Sequence, residues 1–335
     1  MSDDILEKAA ADTVTTAVVS AGTGGLLNPE QSNRFIDYMW DATVLAQDAR
    51  TIRMRSDTVD IDKVGVGTKL VALATEATDT GANSAATFTK VSLTTKKLRL
   101  DWEISTESLE DNIEGEALEN HIAQLMATQA GNDIEDLLIN GDTTLSGDPL
   151  YKAFDGWRKL SLGGGRVVEG GGATISKATF NSALKTLPRK YKARRNQLRF
   201  YTGSNLVQDY LYNLTAVGAG GSPDDIASGI IRGNTVGPQG NGGQSYPFAF
   251  GVPIVEVPAF KEDLTGTYSG ASGSHGYVEL TFPNNRIVGI KREIVVHRLF
   301  WPKKDAVEYT MYTRVGCAVE NLDAYVVVRG VKVAS

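Results

Sequence analysis

Residues 94–111 read TTKKLRLDWEISTESLED. From Lys97 to Ile104 the residues alternate, with Leu98, Leu100, Trp102 and Ile104 on one face and Lys97, Arg99, Asp101 and Glu103 on the other. That period of two is the side-chain repeat of a half-buried strand. The pattern then changes. Asp111 or Asn112 can accept hydrogen bonds from free backbone N–H groups at a helix start, and Glu114 follows Asp111 at capping-box spacing. Glu114 and Glu116 suit the positive end of the helix dipole. Leu118, Ile122, Leu125, Met126, Ile134, Leu137 and Leu138 continue as an apolar stripe, and Asn140-Gly141 is a natural stop. The spacing predicts a helix from Asp111 to Ile139, a rod of roughly 40 Å at about 1.5 Å per residue. Asp133, Glu135 and Asp136 fall off the stripe, on the face expected to meet solvent.

Upstream, Arg53 to Ile104 follows the strand period around a polar tip, TEATDTGANSAAT (75–87), and reads as one long hairpin. The tip carries no bulky apolar residue, and a lone two-stranded ribbon is only marginally stable, so a partner surface is expected. Before it, Phe35, Tyr38, Met39, Ala42 and Leu45 lie at helical spacing, and residues 1–34 read as an extended arm.

Downstream, SLGGGRVVEGGGATIS (161–176) and GAGGSPDDIASGIIRGNTVGPQGNGGQ (218–244) are glycine-rich and expected to be loops. A helix capped by Ser176 is expected from Lys177 to about Lys190, then a short buried strand in QLRFYTG, then a helix over Ser204 to Leu214. YPFAFGVPIVEVPAF is interrupted by prolines and belongs at a sheet edge or bulge. The end of the chain is strand-rich, in FPNNRIVGIKREIVVHRLF and, after a turn at WPKKDA, in VEYTMYTRVGCAVENLDAYVVVRGVKV.

The 335 residues carry a net charge of −6 and are 41% hydrophobic, enough to fold and against a chain whose main task is to grip phosphate backbones. Lys185, Arg189, Lys190, Lys192, Arg194, Arg195 and Arg199 form a local basic exception, read as a solvated helix end and loop. The one cysteine, Cys317, excludes an intrachain disulfide and reads as a small buried hydrophobe. The N-terminus lacks the basic and apolar regions of a signal peptide, and no segment is apolar enough to span a membrane, so no membrane partner is expected.

Catalytic patterns are missing. His121, His275 and His297 are isolated, and there is no Walker loop, dinucleotide glycine motif, G-x-S-x-G elbow or H-E-x-x-H pair. The expectation is a protein that is not an enzyme, with no catalytic residue, no cofactor and no metal site.

The order of elements, with KKLRLDWEISTESLED, LLINGDTT, SALKTLPRKYKARRNQLRFYTGSN and the closing block from FPNN to YVVV, resembles the major capsid proteins of tailed bacteriophages, the Hong Kong 97-type fold. The resemblance covers nearly the whole chain. It implies an α+β architecture: an N-terminal arm (1–34), an extended loop (53–104), a peripheral domain with a long spine helix (35–52, 105–175 and 291–313), and an axial domain (176–290 and 314–335). It also implies self-assembly through hexamers and pentamers into an icosahedral virion shell around double-stranded DNA, held without sequence-specific contacts. Assembly would take place in the bacterial cytoplasm with a portal, a separate scaffolding protein and a decoration protein as partners. Lys63, Lys69, Glu76, Asp79, Lys97 and Arg99 would be inter-subunit contacts of the extended loop. Some members join subunits by a Lys–Asn isopeptide bond assisted by a Glu. The corresponding positions here are Asp305 and Tyr312, so no cross-link is expected. An encapsulin-like nanocompartment shell is the alternative with the same fold.

Overall fold

The computed structural model describes residues 25–26, 43–66, 86–107, 116–215, 247–265 and 273–334. In chain order its strands are β1 (Gly25–Leu26), β2 (Arg50–Arg53), β3 (Thr58–Val66), β4 (Ala86–Thr94), β5 (Lys96–Ser105), β6 (Arg166–Glu169) and β7 (Arg199–Thr202). They continue as β8 (Phe248–Ala249), β9 (Val252–Glu256), β10 (Leu264–Thr265), β11 (Ser274–Thr281), β12 (Arg286–Trp301), β13 (Ala306–Val319) and β14 (Val326–Lys332). The helices are α1 (Leu45–Asp48), α2 (Glu116–Asn140), α3 (Trp157–Gly164), α4 (Lys177–Thr186), α5 (Arg189–Lys192) and α6 (Ser204–Thr215). The chain divides into two compact units.

The first unit is built on Lys97–Ile134 and Ile290–Val315. A sheet of order β1-β12-β13-β5, with β2 also paired to β12, contains its strands. The alternation read in Lys97–Ile104 is present: Trp102 and Ile104 are buried while Lys97, Arg99, Asp101 and Glu103 are exposed. Trp102 stacks on Tyr309 with ring centroids 5.1 Å apart and planes 6° from parallel. The strand is nevertheless not an arm of the hairpin, as the reading of Arg53–Ile104 had it. The ribbon ends at Thr94, and β5 lies next to β13 in the sheet. An isolated ribbon gives Trp102 nothing to bury against, and the sheet does.

The second unit contains Val44–Lys96, Glu135–Gly289 and Gly316–Ser335. Its main sheet has the order β6-β14-β11-β7-β9-β8, with β10 on the β11 side. β6 runs parallel to β14 and β9 parallel to β7, while β11 is antiparallel to both β14 and β7. The proline-bearing β8–β9 segment lies at the sheet edge, where a missing N–H is tolerated. Helices α4 and α6 bring Phe180, Leu184, Leu206 and Tyr210 onto Phe200, Ile254, Val278 and Val328 of the sheet. Phe180 meets Phe200 and Tyr210 edge-on, each with centroids 4.8 Å apart. Such pairs add about 0.5–1.5 kcal/mol beyond area burial.

Helix α4 starts where expected, with the Thr179 hydroxyl accepting from the Ser176 N–H at 3.2 Å. It stops at Thr186 rather than near Lys190. Pro188 pushes Leu187 out of helical backbone, and the chain restarts as α5. The first glycine-rich tract is not simply a loop. Its opening residues finish α3, anchored by buried Trp157 and Ser161, and its valines form β6, paired from Arg166↔Val326 to Glu169↔Arg329.

The long helix is described from Glu116, so its expected cap at Asp111 or Asn112 lies outside the described residues. The expected solvent face is wrong at one position: Glu135 is buried, 4% exposed. Its carboxylate accepts from the N–H groups of Val44 at 2.9 Å and Leu45 at 2.5 Å, meeting the free donors that start α1. Burial raises its pKa, and these N–H bonds offset only part of that. In the opposite sense, Leu125 of the expected apolar stripe is 57% exposed.

After α2 the chain turns at Gly141, where a Cβ would lie 2.5 Å from the Phe154 carbonyl and 2.7 Å from the Leu137 carbonyl. Glycine is required there by the close approach of backbone. Lys159 then ties the following loop to α3, with its ammonium 2.5 Å from Asp142 and 3.0 Å from Asp155.

Candidate functional site

Strands β3 and β4 pair without a break from Thr58↔Thr94 to Val66↔Ala86 and form a two-stranded sheet of their own. The base is seated: Leu93 is buried with Met54, Ile287 and Ala318, and Val59, Ile61 and Val91 pack around them. The opposite face is polar. Ser92 donates to Asp60 at 2.7 Å, and Lys90 lies 3.5 Å from the same carboxylate. These contacts, the Ser92 hydroxyl first, lower the pKa of Asp60. Further out, Phe88 is 74% exposed. The ribbon is therefore joined to its unit through one end and presents an apolar side chain beyond it.

Lys63 lies on this ribbon, half-buried and opposite Thr89. Lys69, Glu76 and Asp79 lie outside the described residues, as do most of the 75–87 tip and the 218–244 tract. Lys97 and Arg99 are not on the ribbon but on β5. The Lys97 ammonium sits 4.1 Å from the centroid of the Tyr312 ring, and Arg99 pairs with Asp101 at 2.7 Å. Of the expected contact residues, the described ones are Lys63 on the ribbon and Lys97 and Arg99 on β5. Asp305 occupies the β12–β13 turn with φ 49°, its carbonyl accepting from Thr106 N–H at 3.0 Å. Tyr312 lies between Lys97 and His297, whose ring centroid is 6.2 Å away. At the tip of the same hairpin, Leu299, Phe300 and Trp301 are all exposed. The run RLFW at the end of β12 was the available signal for this patch, and the sequence reading passed over it.

The most strongly perturbed groups lie inside the second unit. Arg286 is 1% exposed, and its guanidinium pairs with the buried Glu279 carboxylate and donates to the Tyr325 hydroxyl at 3.0 and 3.1 Å. The Tyr325 hydroxyl donates to Glu279. Arg286 also lies 4.1 Å from the centroid of Tyr201. Burial works against its charge, yet Tyr325 and Glu279 outweigh burial and hold Arg286 protonated. Burial pushes the Tyr325 and Tyr201 hydroxyls well up and keeps them neutral. This is a closed polar cross-tie at the base of the sheet, without access for a substrate. Sequence reasoning missed it because Glu279 lies in β11 and Arg286 begins β12, and only the tertiary fold brings the two side chains and Tyr325 together.

Cys317 is buried, as expected, with its thiol 3.2 Å from the Asp155 carbonyl, and burial pushes its pKa well up. His121 is exposed, His275 is buried in β11, and His297 is half-buried. Among the described residues no group of His, Cys, Asp and Glu side chains is arranged to hold a metal. No described helix is long and apolar enough to cross a membrane.

No family model matches the chain. Among solved structures it is similar to a chain of the satellite phage P4 procapsid that includes the size determination (Sid) protein. The TM-score is 0.60 at 14% identity, over 100% of this chain and 99% of that one. It is also similar to a chain from Microbacterium phage Oxtober96, at TM-score 0.57 and 15% identity over 95% and 97% of the two chains. The holo-SrpI encapsulin of Synechococcus elongatus PCC 7942 matches at 0.54 and 12% identity, over 96% of each. These likenesses define the class: a mixed helix-and-sheet fold of the kind found in phage capsid subunits. In sequence the chain is 32% identical over 274 residues to "Putative prophage capsid protein YqbE" of Bacillus subtilis (strain 168), spanning 81% of this chain and 82% of that protein. The chain belongs to this prophage capsid protein family.

Proposed function

We propose that the chain is the major capsid protein of a tailed bacteriophage. Copies assemble as hexamers and pentamers into an icosahedral virion head around double-stranded DNA, with the Hong Kong 97-type arrangement of arm, extended loop, peripheral domain and axial domain. The observation that carries this reading is the β3–β4 ribbon. It pairs from Thr58 to Val66 against Ala86 to Thr94 with no third strand among the described residues, has a seated apolar base, and exposes Phe88 beyond it. A ribbon of this kind gains stability by lying on another surface, and a second copy of the same chain supplies one at every position of a shell. On this reading the extended loop is the ribbon with its 67–85 connection rather than the whole of 53–104. Lys63, Lys69, Glu76 and Asp79 remain its proposed contact residues, and Lys97 and Arg99, exposed on β5, remain proposed inter-subunit contacts beside it.

Each subunit holds its neighbours through many noncovalent contacts of standard size or larger. No isopeptide cross-link forms, because Asp305 and Tyr312 supply neither the amide acceptor nor the assisting acid. The protein is structural and carries out no catalysis. Assembly takes place in the bacterial cytoplasm with a separate scaffolding protein, a portal and a decoration protein, and the packaged DNA meets a shell of net acidic subunits without sequence-specific binding.

Negative-stain microscopy of the purified protein, with a nucleic-acid assay on the particles, tests this. Closed shells isolated from phage-producing cells with DNA inside are expected. A monomer by light scattering refutes shell formation. Shells that hold a co-purifying enzyme and no DNA favour the encapsulin-like alternative.

A further inference from the structure

The basic segment singled out in the sequence borders a cleft of the second unit. Helix α5 and the turn after it form one wall of an open cleft of about 860 Å³ in the second unit, lined by Lys190, Arg194, Gln197, Asn284, Asn321 and Arg199, among others. Arg199 is neutralised by Asp48 at 2.5 Å. Arg189, Lys190, Arg194 and Arg195 have no acidic partner among the described residues, and all four are exposed. The side-chain amides of Asn196, Gln197 and Asn284, also at the cleft, have no hydrogen-bond partner among the described residues. In a chain of net charge −6, a group of unpaired cations beside unpaired amides is a complementary surface waiting for a polar anion.

We infer that this cleft docks an extended acidic segment of another protein, its carboxylates on Lys190 and Arg194 and its backbone on the amides of Asn196, Gln197 and Asn284. The cleft itself selects peptide over nucleic acid. Its lining includes the carboxylates of Asp48 and Glu320, which oppose a continuous phosphate backbone but tolerate a peptide whose charges are spaced along the chain. Amides, which both donate and accept, match peptide groups, and no aromatic side chain in the lining is fully exposed for base stacking.

The test uses the full-length protein and two fluorescent probes, a peptide with one glutamate in every three residues and an oligo-dT strand, followed by anisotropy. The peptide is expected to bind, and binding should weaken as salt rises from about 0.05 to about 0.5 M. The double variant Lys190→Glu/Arg194→Glu should lose affinity by on the order of tenfold, and Lys190→Arg/Arg194→Lys should retain it. Asn284→Ala with Gln197→Ala keeps every charge and should still weaken the peptide severalfold, which separates a docked peptide from general electrostatic attraction. An unchanged thermal midpoint in each variant shows that folding is intact. Peptide binding that is indifferent to charge reversal overturns the proposal. So does oligo-dT binding tighter than the peptide with the same loss on reversal, which would make the cleft a nucleic-acid surface. Loss of self-association on reversal, with no peptide bound to the parent, would assign the cleft to a second copy and likewise overturn it.

Discussion

Replacing Arg286 by Met tests whether the cross-tie under the main sheet is a buried ion pair in the energetic sense. The substitution keeps much of the side-chain volume and removes the charge. It leaves the Glu279 carboxylate at 1% exposure with the Tyr325 hydroxyl as its remaining donor among the contacts described above. Breaking one half of a buried pair costs about 3–5 kcal/mol, most of it from the charge left behind. At about 2–4 °C per kcal/mol for a domain of this size, the melting midpoint should fall by roughly 6–20 °C. The native pair is not perfectly satisfied: Glu279 Oε1 and Arg286 Nη1 have no hydrogen-bond partner among the described residues. The double variant Glu279→Met/Arg286→Met should therefore recover most of the loss, because it removes both desolvated charges together. Differential scanning calorimetry of unassembled subunits reads both values. A midpoint for Arg286→Met within about 2 °C of the parent would refute the argument, as would a double variant no more stable than the single one.

Asp142 is held down to about 2, chiefly by Lys159 and then by Thr144, so its contribution is full above the ordinary carboxylate value of 3.8 and is lost as pH falls through about 2. Asp142→Asn should lower stability by up to about 1 kcal/mol at pH 6, and urea midpoints of variant and parent should converge near pH 2. Glu135→Ala strips the acceptor from two N–H donors and should cost about 1–2 kcal/mol, with Glu135→Gln losing less; denaturant titration ranks them. At Gly316 a Cβ would lie 2.1 Å from the Thr94 carbonyl, so Gly316→Ala must displace backbone at the foot of the ribbon. It should cost about 1–3 kcal/mol in thermal melts. Replacing residues 67–85 by a short turn should leave a folded subunit by circular dichroism but no particles by microscopy; normal shells would refute the role of the ribbon. Mature particles boiled in detergent should release the 35.9 kDa monomer, and a ladder of linked subunits would show that the loss of cross-link chemistry at Asp305 and Tyr312 was misread.

Local chemistry made much of this protein readable in one dimension. Alternation placed Trp102 and Ile104 inside and Lys97 and Arg99 outside, Ser176 marked the start of α4, and the closing block carried its β-branched strands. Those signals are properties of neighbouring residues, since strand faces, caps and turns are set within a few positions. Partners chosen across long separations were not readable. The same alternating segment fits a ribbon arm or a sheet strand equally well, and it joined β13 because Tyr309 offered Trp102 a stacking surface more than two hundred residues away. Glu135 has the charge and spacing of a solvent-facing residue, and it is buried because the distant start of α1 needed an acceptor. Arg286 and Glu279 became an ion pair only where the sheet closed water out around them. Period and composition state what a segment can bury or bond, whereas tertiary packing selects the partner that does so at least cost in desolvation and unmade hydrogen bonds.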